Sequence, residues 1–232
     1  MKIAYAKAFG KKHSDQSGIC SSSVSSYKED GSAALAVSDA DTAYEKGAEC
    51  AAFLSQWSVS YLRESALKDQ DFDEEDFKDR LIMALNENGF TKSNSAADLM
   101  FIAVKKDRYV SGHMGSGAIM AGSEGGIGVF AFPDSSEGTA GYCLPSDKDD
   151  MHMTFEKGVL KKCSCFMFAS GAISRMFYDK DSHAAAAACV KLMQWAIDYP
   201  ENTLAGILQE NADEILSAYS KGDFSLALFY YD

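Results

Sequence analysis

Polar and apolar residues alternate from the first segment onward: Ile3 and Tyr5 fall on one side of Lys2–Gly10 and Ala4, Ala6 and Ala8 on the other, which predicts an outer strand. The polar run GKKHSDQSGICSSS follows. Val24–Tyr27 then reads as a short strand, and Glu29-Asp30-Gly31 as a hairpin turn into the apolar run Ala33–Val37. That run stops at Ser38-Asp39-Ala40-Asp41-Thr42, where the period lengthens. Ala48, Ala51, Leu54 and Trp57 at helical spacing predict a helix over roughly Tyr44–Arg63. A second helix is predicted in DQDFDEEDFKDRLIMALNENG. Its acidic start meets the positive end of the helix dipole, Phe77, Leu81, Ile82 and Leu85 form its inner stripe, and Gly89 ends it.

The middle of the chain changes character. Leu99–Lys105, Arg108–Met114, Ala118–Ala121 and Ile127–Phe132 are short apolar segments divided by Lys106-Asp107, Gly115-Ser116-Gly117 and a glycine-rich loop, the spacing of an antiparallel meander. Met151–Phe155 and Cys163–Ala169 add two strands around Lys157-Gly158, after a polar excursion over Pro133–Asp150. Helices are predicted at Ser182–Asp198 and Thr203–Tyr219, and a closing strand at Phe224–Tyr231. One helix pair follows the first strands and another precedes the last. This order predicts an α+β fold, a four-layer α-β-β-α sandwich of two central antiparallel sheets flanked by helix pairs, in a single domain over residues 1–232.

Composition narrows the partners. A chain of 232 residues with 47% hydrophobic residues and only three prolines can bury a core without staples. A formal charge of −12 argues against sequence-independent binding to nucleic acid or to an anionic membrane, both of which need a basic surface. Six cysteines occur without a C-x-x-C pair and read as buried thiols of a reducing compartment. No apolar run approaches the roughly 18 residues of a membrane span, and the opening has no secretory apolar region, so a cytoplasmic location is expected.

Few motifs carry chemistry. Gly115-Ser116-Gly117 lacks the third glycine and the strand-to-helix setting of a dinucleotide fingerprint, and no G-x-S-x-G elbow occurs. His13, His113, His152 and His183 are too dispersed for a zinc pattern. Asp39 stands where strand pairing stops and the backbone turns, a place from which a carboxylate either faces a ligand or caps the next helix.

Five ordered stretches point further. GKKHSDQSGICSSS, with His13 and Cys20, is similar to a Gly-x-x-His loop followed by Cys-Gln-Asp; LAVSDADTAYEKGAECAA, with Asp39 and Gly47-Ala48, to an Ala-Asp-Gly-x-Gly turn and helix. VSGHMGSGAIMAGSEGG looks like a Gly-Asp-Gly-Ala hairpin, MFASGAIS like a Ser-Asp-Gly strand end, and KGDFSLALFYY like a closing Asp-Asp-x-Ser strand. In these the chain resembles the metal-dependent type 2C (PPM) serine/threonine protein phosphatases, in particular their compact bacterial branch. The resemblance implies hydrolysis of phosphate monoesters by a water bridging two Mg²⁺ or Mn²⁺ ions.

The departures from that pattern are as informative as the matches. Where the resemblance places metal carboxylates, this chain has Ser22, Ser116, Gly171 and Gly222, and the glycine after Asp39 is Ala40. No arginine precedes Cys20 to meet substrate phosphate. Asp39 alone stays in register, and one carboxylate leaves the mutual repulsion of two divalent ions largely uncompensated. The reading is therefore a pseudophosphatase with a degenerate metal site, no catalytic residues and no cofactor. The alternative is an active enzyme binding Mg²⁺ or Mn²⁺ through a site rebuilt from Asp39, Asp41 and Asp223, with Asp15 as a further candidate. Arg63, Arg80, Arg108 and Arg175 lie in different elements, so a protein partner or a homo-oligomer is expected rather than a phosphate ligand.

Overall fold

The computed structural model describes residues 1–11, 19–65, 72–123, 126–134, 144–145 and 151–232. His13, Asp15 and Cys143 lie outside these. The strands are β1 (Lys2–Ala8), β2 (Ser22–Glu29), β3 (Ser32–Asp39), β4 (Leu99–Lys105), β5 (Arg108–Met114), β6 (Ala118–Ser123), β7 (Gly126–Ala131), β8 (Thr154–Val159), β9 (Ser164–Ala169) and β10 (Phe224–Tyr231). The helices are α1 (Gly47–Glu64), α2 (Glu74–Glu87), α3 (Gly171–Ser174), α4 (Ala187–Asp198) and α5 (Glu201–Glu214). Two five-stranded sheets form, in the orders β1-β10-β9-β6-β7 and β2-β3-β4-β5-β8, with every pairing antiparallel.

Alternation along β3 divides its side chains between two cores. Ala33, Leu35 and Val37 join Ile102, Phe168 and Phe229 between the sheets, while Ala34 and Ala36 face Cys50, Ala51 and Leu54 of α1. Alanine at both outward positions leaves room for the helix to lie close on the strand. Phe77 of α2 meets Phe101 and Phe155 of the same sheet, with ring centroids 5.1 and 5.8 Å apart. Asp73 caps α2, its Oδ1 accepting from the amides of Glu75 and Asp76. On the other sheet, α4 and α5 cover Ala4, Ala6, Met167 and Leu228 with Cys189, Leu192, Leu204 and Leu208. The four-layer sandwich follows, one apolar layer between the sheets and one under each helix pair.

Four local expectations are corrected. Lys157-Gly158 is not a turn but the interior of β8, which pairs with β5, whereas β9 lies in the other sheet; the segment between them crosses from sheet to sheet. The meander over Leu99–Phe132 is two hairpins, β4-β5 and β6-β7, in different sheets, and Gly115-Ser116-Gly117 joins the sheets where a hairpin was expected. Each apolar segment was legible, but alternation alone does not say which sheet a strand joins. The helix expected from Ser182 begins at Ala187, because Tyr178 and Ala185 form a bridge before it. The one expected to end at Tyr219 stops at Glu214 and tightens into a short 3-10 turn over Leu216–Ala218.

Candidate functional site

Strand ends from both sheets meet at one end of the sandwich. Asp39, the last residue of β3, stands opposite Ser22, the first of β2. An isolated bridge between Ala40 and Ala97 carries the chain on to Asp98, just before β4. Asp98 is buried, and both of its oxygens have donors: the Asp39 amide at 2.7 Å and the Ser116 hydroxyl at 2.9 Å. Ser38 donates its hydroxyl to the Asp98 carbonyl at 2.6 Å. These contacts fix Asp39 and Asp98 side by side.

Asp223, just before β10, is buried as well. Its Oδ1 accepts from the Gly10 amide at 3.1 Å and its Oδ2 from the Ser21 amide at 3.0 Å. It thereby ties the exit of β1 to the entrance of β2. A serine pair joins the sheets beside it, the hydroxyls of Ser22 and Ser225 lying 2.7 Å apart, and within one sheet Ser170 and Ser225 exchange amide donors at 3.1 Å. Ser174, on α3, donates to the Ser116 carbonyl at 3.2 Å. Gly171 is held in close contact: a Cβ there would lie 2.0 Å from the Ser116 hydroxyl oxygen. Gly222 lies in a similar approach, its carbonyl 2.2 Å from where a Cβ on Gly10 would fall.

Burial shapes the electrostatics. Asp39 is pushed well above the ordinary carboxylate range, first by burial and then by the charge of Asp98, and Asp223 adds repulsion. The Ser170 hydroxyl and the Ala172 amide offset part of this. Asp39 Oδ1 is enclosed and has no hydrogen-bond partner. Burial likewise lifts Asp98, held back by the Ser116 hydroxyl, the Asp39 amide and His113.

Of the residues singled out in the sequence, Asp39, Ser22, Ser116, Gly171, Gly222 and Asp223 gather at this end. Asp41 does not turn inward; its Oδ1 accepts from the Ala43 amide at 2.9 Å, closing the turn that leads to α1. Ala40 holds the bridge to Ala97. Asp98 was not foreseen. Its signal was present, because it precedes an apolar strand as Asp39 ends one, so that both fall at the same lip of the sheet. The described cysteines are all free thiols, with Cys50, Cys165 and Cys189 buried and Cys20 and Cys163 partly so. Burial pushes the thiols of Cys50 and Cys165 up to about 12.

Two antiparallel sheets between helix layers, with acidic strand ends converging at one lip, define the class of metal-dependent phosphatase-like folds. Residues 9–209 match the family model described as protein phosphatase 2C, and the chain belongs to that family. Among solved structures, a bacterial serine phosphatase is similar at TM-score 0.69 and 12% identity, covering 100% of this chain and 98% of its own. The S. agalactiae serine/threonine phosphatase gives 0.66 at 11% identity, covering 100% and 99%. The catalytic domain of the serine threonine protein phosphatase PstP, in complex with two manganese ions, gives 0.64 at 12% identity, covering 100% and 98%. At these identities the likeness speaks for the fold alone. No curated protein matches the chain.

Proposed function

We propose that the chain is a pseudophosphatase, a bacterial type 2C phosphatase-like domain that does not hydrolyse phosphate esters and serves in binding or regulation. The observation that supports this most is the state of the buried carboxylates. A pair of divalent ions needs several oxygen ligands each, with enough negative charge to offset their repulsion. Asp98 and Asp223 instead hold backbone amides and the Ser116 hydroxyl, and the further positions carry Ser22, Ser116, Gly171 and Gly222. Among the described residues no group of three or more His, Cys, Asp or Glu side chains is placed to hold a metal ion. The donors present do not fit a two-ion centre.

A protein partner or a second copy is the ligand class this reading favours, and no metal is required. No described helix is long and apolar enough to cross a membrane. A cytoplasmic setting accords with the free thiols.

A second reading draws on one observation, the enclosed and unpartnered Oδ1 of Asp39. In it, Asp39 and Asp223 hold a single Mg²⁺ or Mn²⁺ in a working phosphatase, with Asp98 beside them. Calorimetric titration with MnCl₂, alongside an aryl phosphate assay, separates the two. The pseudophosphatase gives no saturable two-site heat and no turnover. Tight binding with turnover that disappears in Asp39→Asn and Asp223→Asn establishes the rebuilt site instead.

A further inference from the structure

The four sheet edges are not equally defended. The exposed side of β1 is covered by α5, whose Gln209 bonds both the amide and the carbonyl of Lys7. Edge strand β2 carries Lys28 and Glu29, and β8 carries Glu156 and Lys157. Charges on an edge discourage pairing with another chain. Edge strand β7, Gly126-Ile127-Gly128-Val129-Phe130-Ala131, has neither charge nor proline. Among the described residues its backbone pairs only with β6. A Cβ on Gly126 or Gly128 would meet nothing within 4 Å among the described residues, so the sheet face there is uncovered. Glycines within a strand often mark a place where another backbone comes close.

A cleft of about 250 Å³ opens beside this edge, at the end of the sandwich away from Asp39. Tyr109, Phe130 and Phe166 line it, Tyr109 and Phe130 each about 5 Å from Phe166 between ring centroids. Tyr109 lies across β8 because Gly158 has no side chain; a Cβ there would fall 2.7 Å from the ring. The volume is below the roughly 300 Å³ at which small-molecule sites begin and suits one bulky apolar side chain.

Two turns rim the cleft, residues 105–108 and 160–163, joined by the Leu160 amide donating to the Asp107 carbonyl at 2.6 Å. They expose Lys106, Arg108, Lys161 and Lys162, four cations against Asp107 and the Glu156 carboxylate that acts on Tyr109, on a chain of net charge −12. Charges more than about 8 Å away are screened at physiological salt, so these local cations set the preference here.

We propose that β7 and this cleft form a docking site for an acidic, extended peptide segment, which adds a strand to the sheet and places one bulky apolar side chain among the rings. Backbone pairing supplies affinity, and the pocket and rim supply selectivity. A second copy pairing through its own β7 would bring an uncharged strand and leave the rim unanswered. This site goes beyond the pseudophosphatase reading and does not depend on it, since it lies at the other end of the fold and is read without metal or substrate.

Fluorescence anisotropy on the full chain tests it with a labelled synthetic peptide, Glu-Val-Glu-Phe-Glu-Val-Glu. Three controls accompany it: the same peptide with Lys for Glu, one with every backbone amide N-methylated, and the charge-reversed double variant Lys161→Glu/Lys162→Glu. Saturable binding of the acidic peptide is expected, weakened by salt and at least tenfold weaker in the double variant, whose thermal melt is unchanged. Both peptide controls are expected to fail. No saturable binding overturns the proposal, as does equal binding of either control peptide, or dimerisation of the chain that excludes the peptide.

Discussion

Asp39 and Asp98 are two carboxylates in one enclosure, and their coupling has a measurable sign. Burial and mutual charge raise the folded-state pKa of Asp39 above its ordinary value of 3.8, so between the two values the folded chain holds protons that the unfolded chain has released. Stability contributed at this position is therefore greatest below about pH 4 and falls as pH rises through the folded value. Asp39→Asn removes the repulsion and cannot ionise. We expect it to gain about 1–2 kcal/mol at pH 7.5 by chemical denaturation, with the gain shrinking toward pH 4. A loss of stability at pH 7.5 contradicts this account. Close contact gives a second test. Gly171→Ala forces its methyl group onto the Ser116 hydroxyl and is expected to cost about 1–3 kcal/mol, and less in a Ser116→Gly background, by a double-mutant cycle.

At the scale of elements, Asp223 works as a staple between β1 and β2. Asp223→Ala leaves the Gly10 and Ser21 amides without their acceptor and should cost about 2–4 kcal/mol by denaturant titration, with Asp223→Asn costing less. This is where the limit of sequence reading is clearest. Strands, helix pairs and the lip position of Asp39 were legible because alternation and helical spacing report burial directly. The role of Asp223 was not, because its partners are backbone amides more than 200 positions away in the chain. Lys157-Gly158 misled for a related reason. A glycine read as a turn residue instead makes room for the Tyr109 ring on a neighbouring strand, a requirement visible only across the sheet.

Across the whole molecule, the sheets are tied at the acidic lip by the chain's own groups. The Ser22–Ser225 hydroxyl pair and the Ser21 amide on Asp223 bridge them. A ligand that binds the native state raises its melting temperature by mass action. We therefore expect millimolar MnCl₂ and excess EDTA each to leave the melting temperature unmoved in differential scanning fluorimetry; a rise of several degrees with Mn²⁺ speaks for the rebuilt site. The pairing of β1 with β10 carries a different consequence. Lys2–Ala8 lies against Phe224–Tyr231, whereas β2 to β5 run from Ser22 to Met114 within one sheet. During synthesis the sheet built on β3 and β4 can assemble early, but β1 has no strand neighbour until β10 has followed. For that interval Ile3, Ala4 and Ala6 form an orphaned apolar edge, and the nascent domain is most exposed to misassociation at β1.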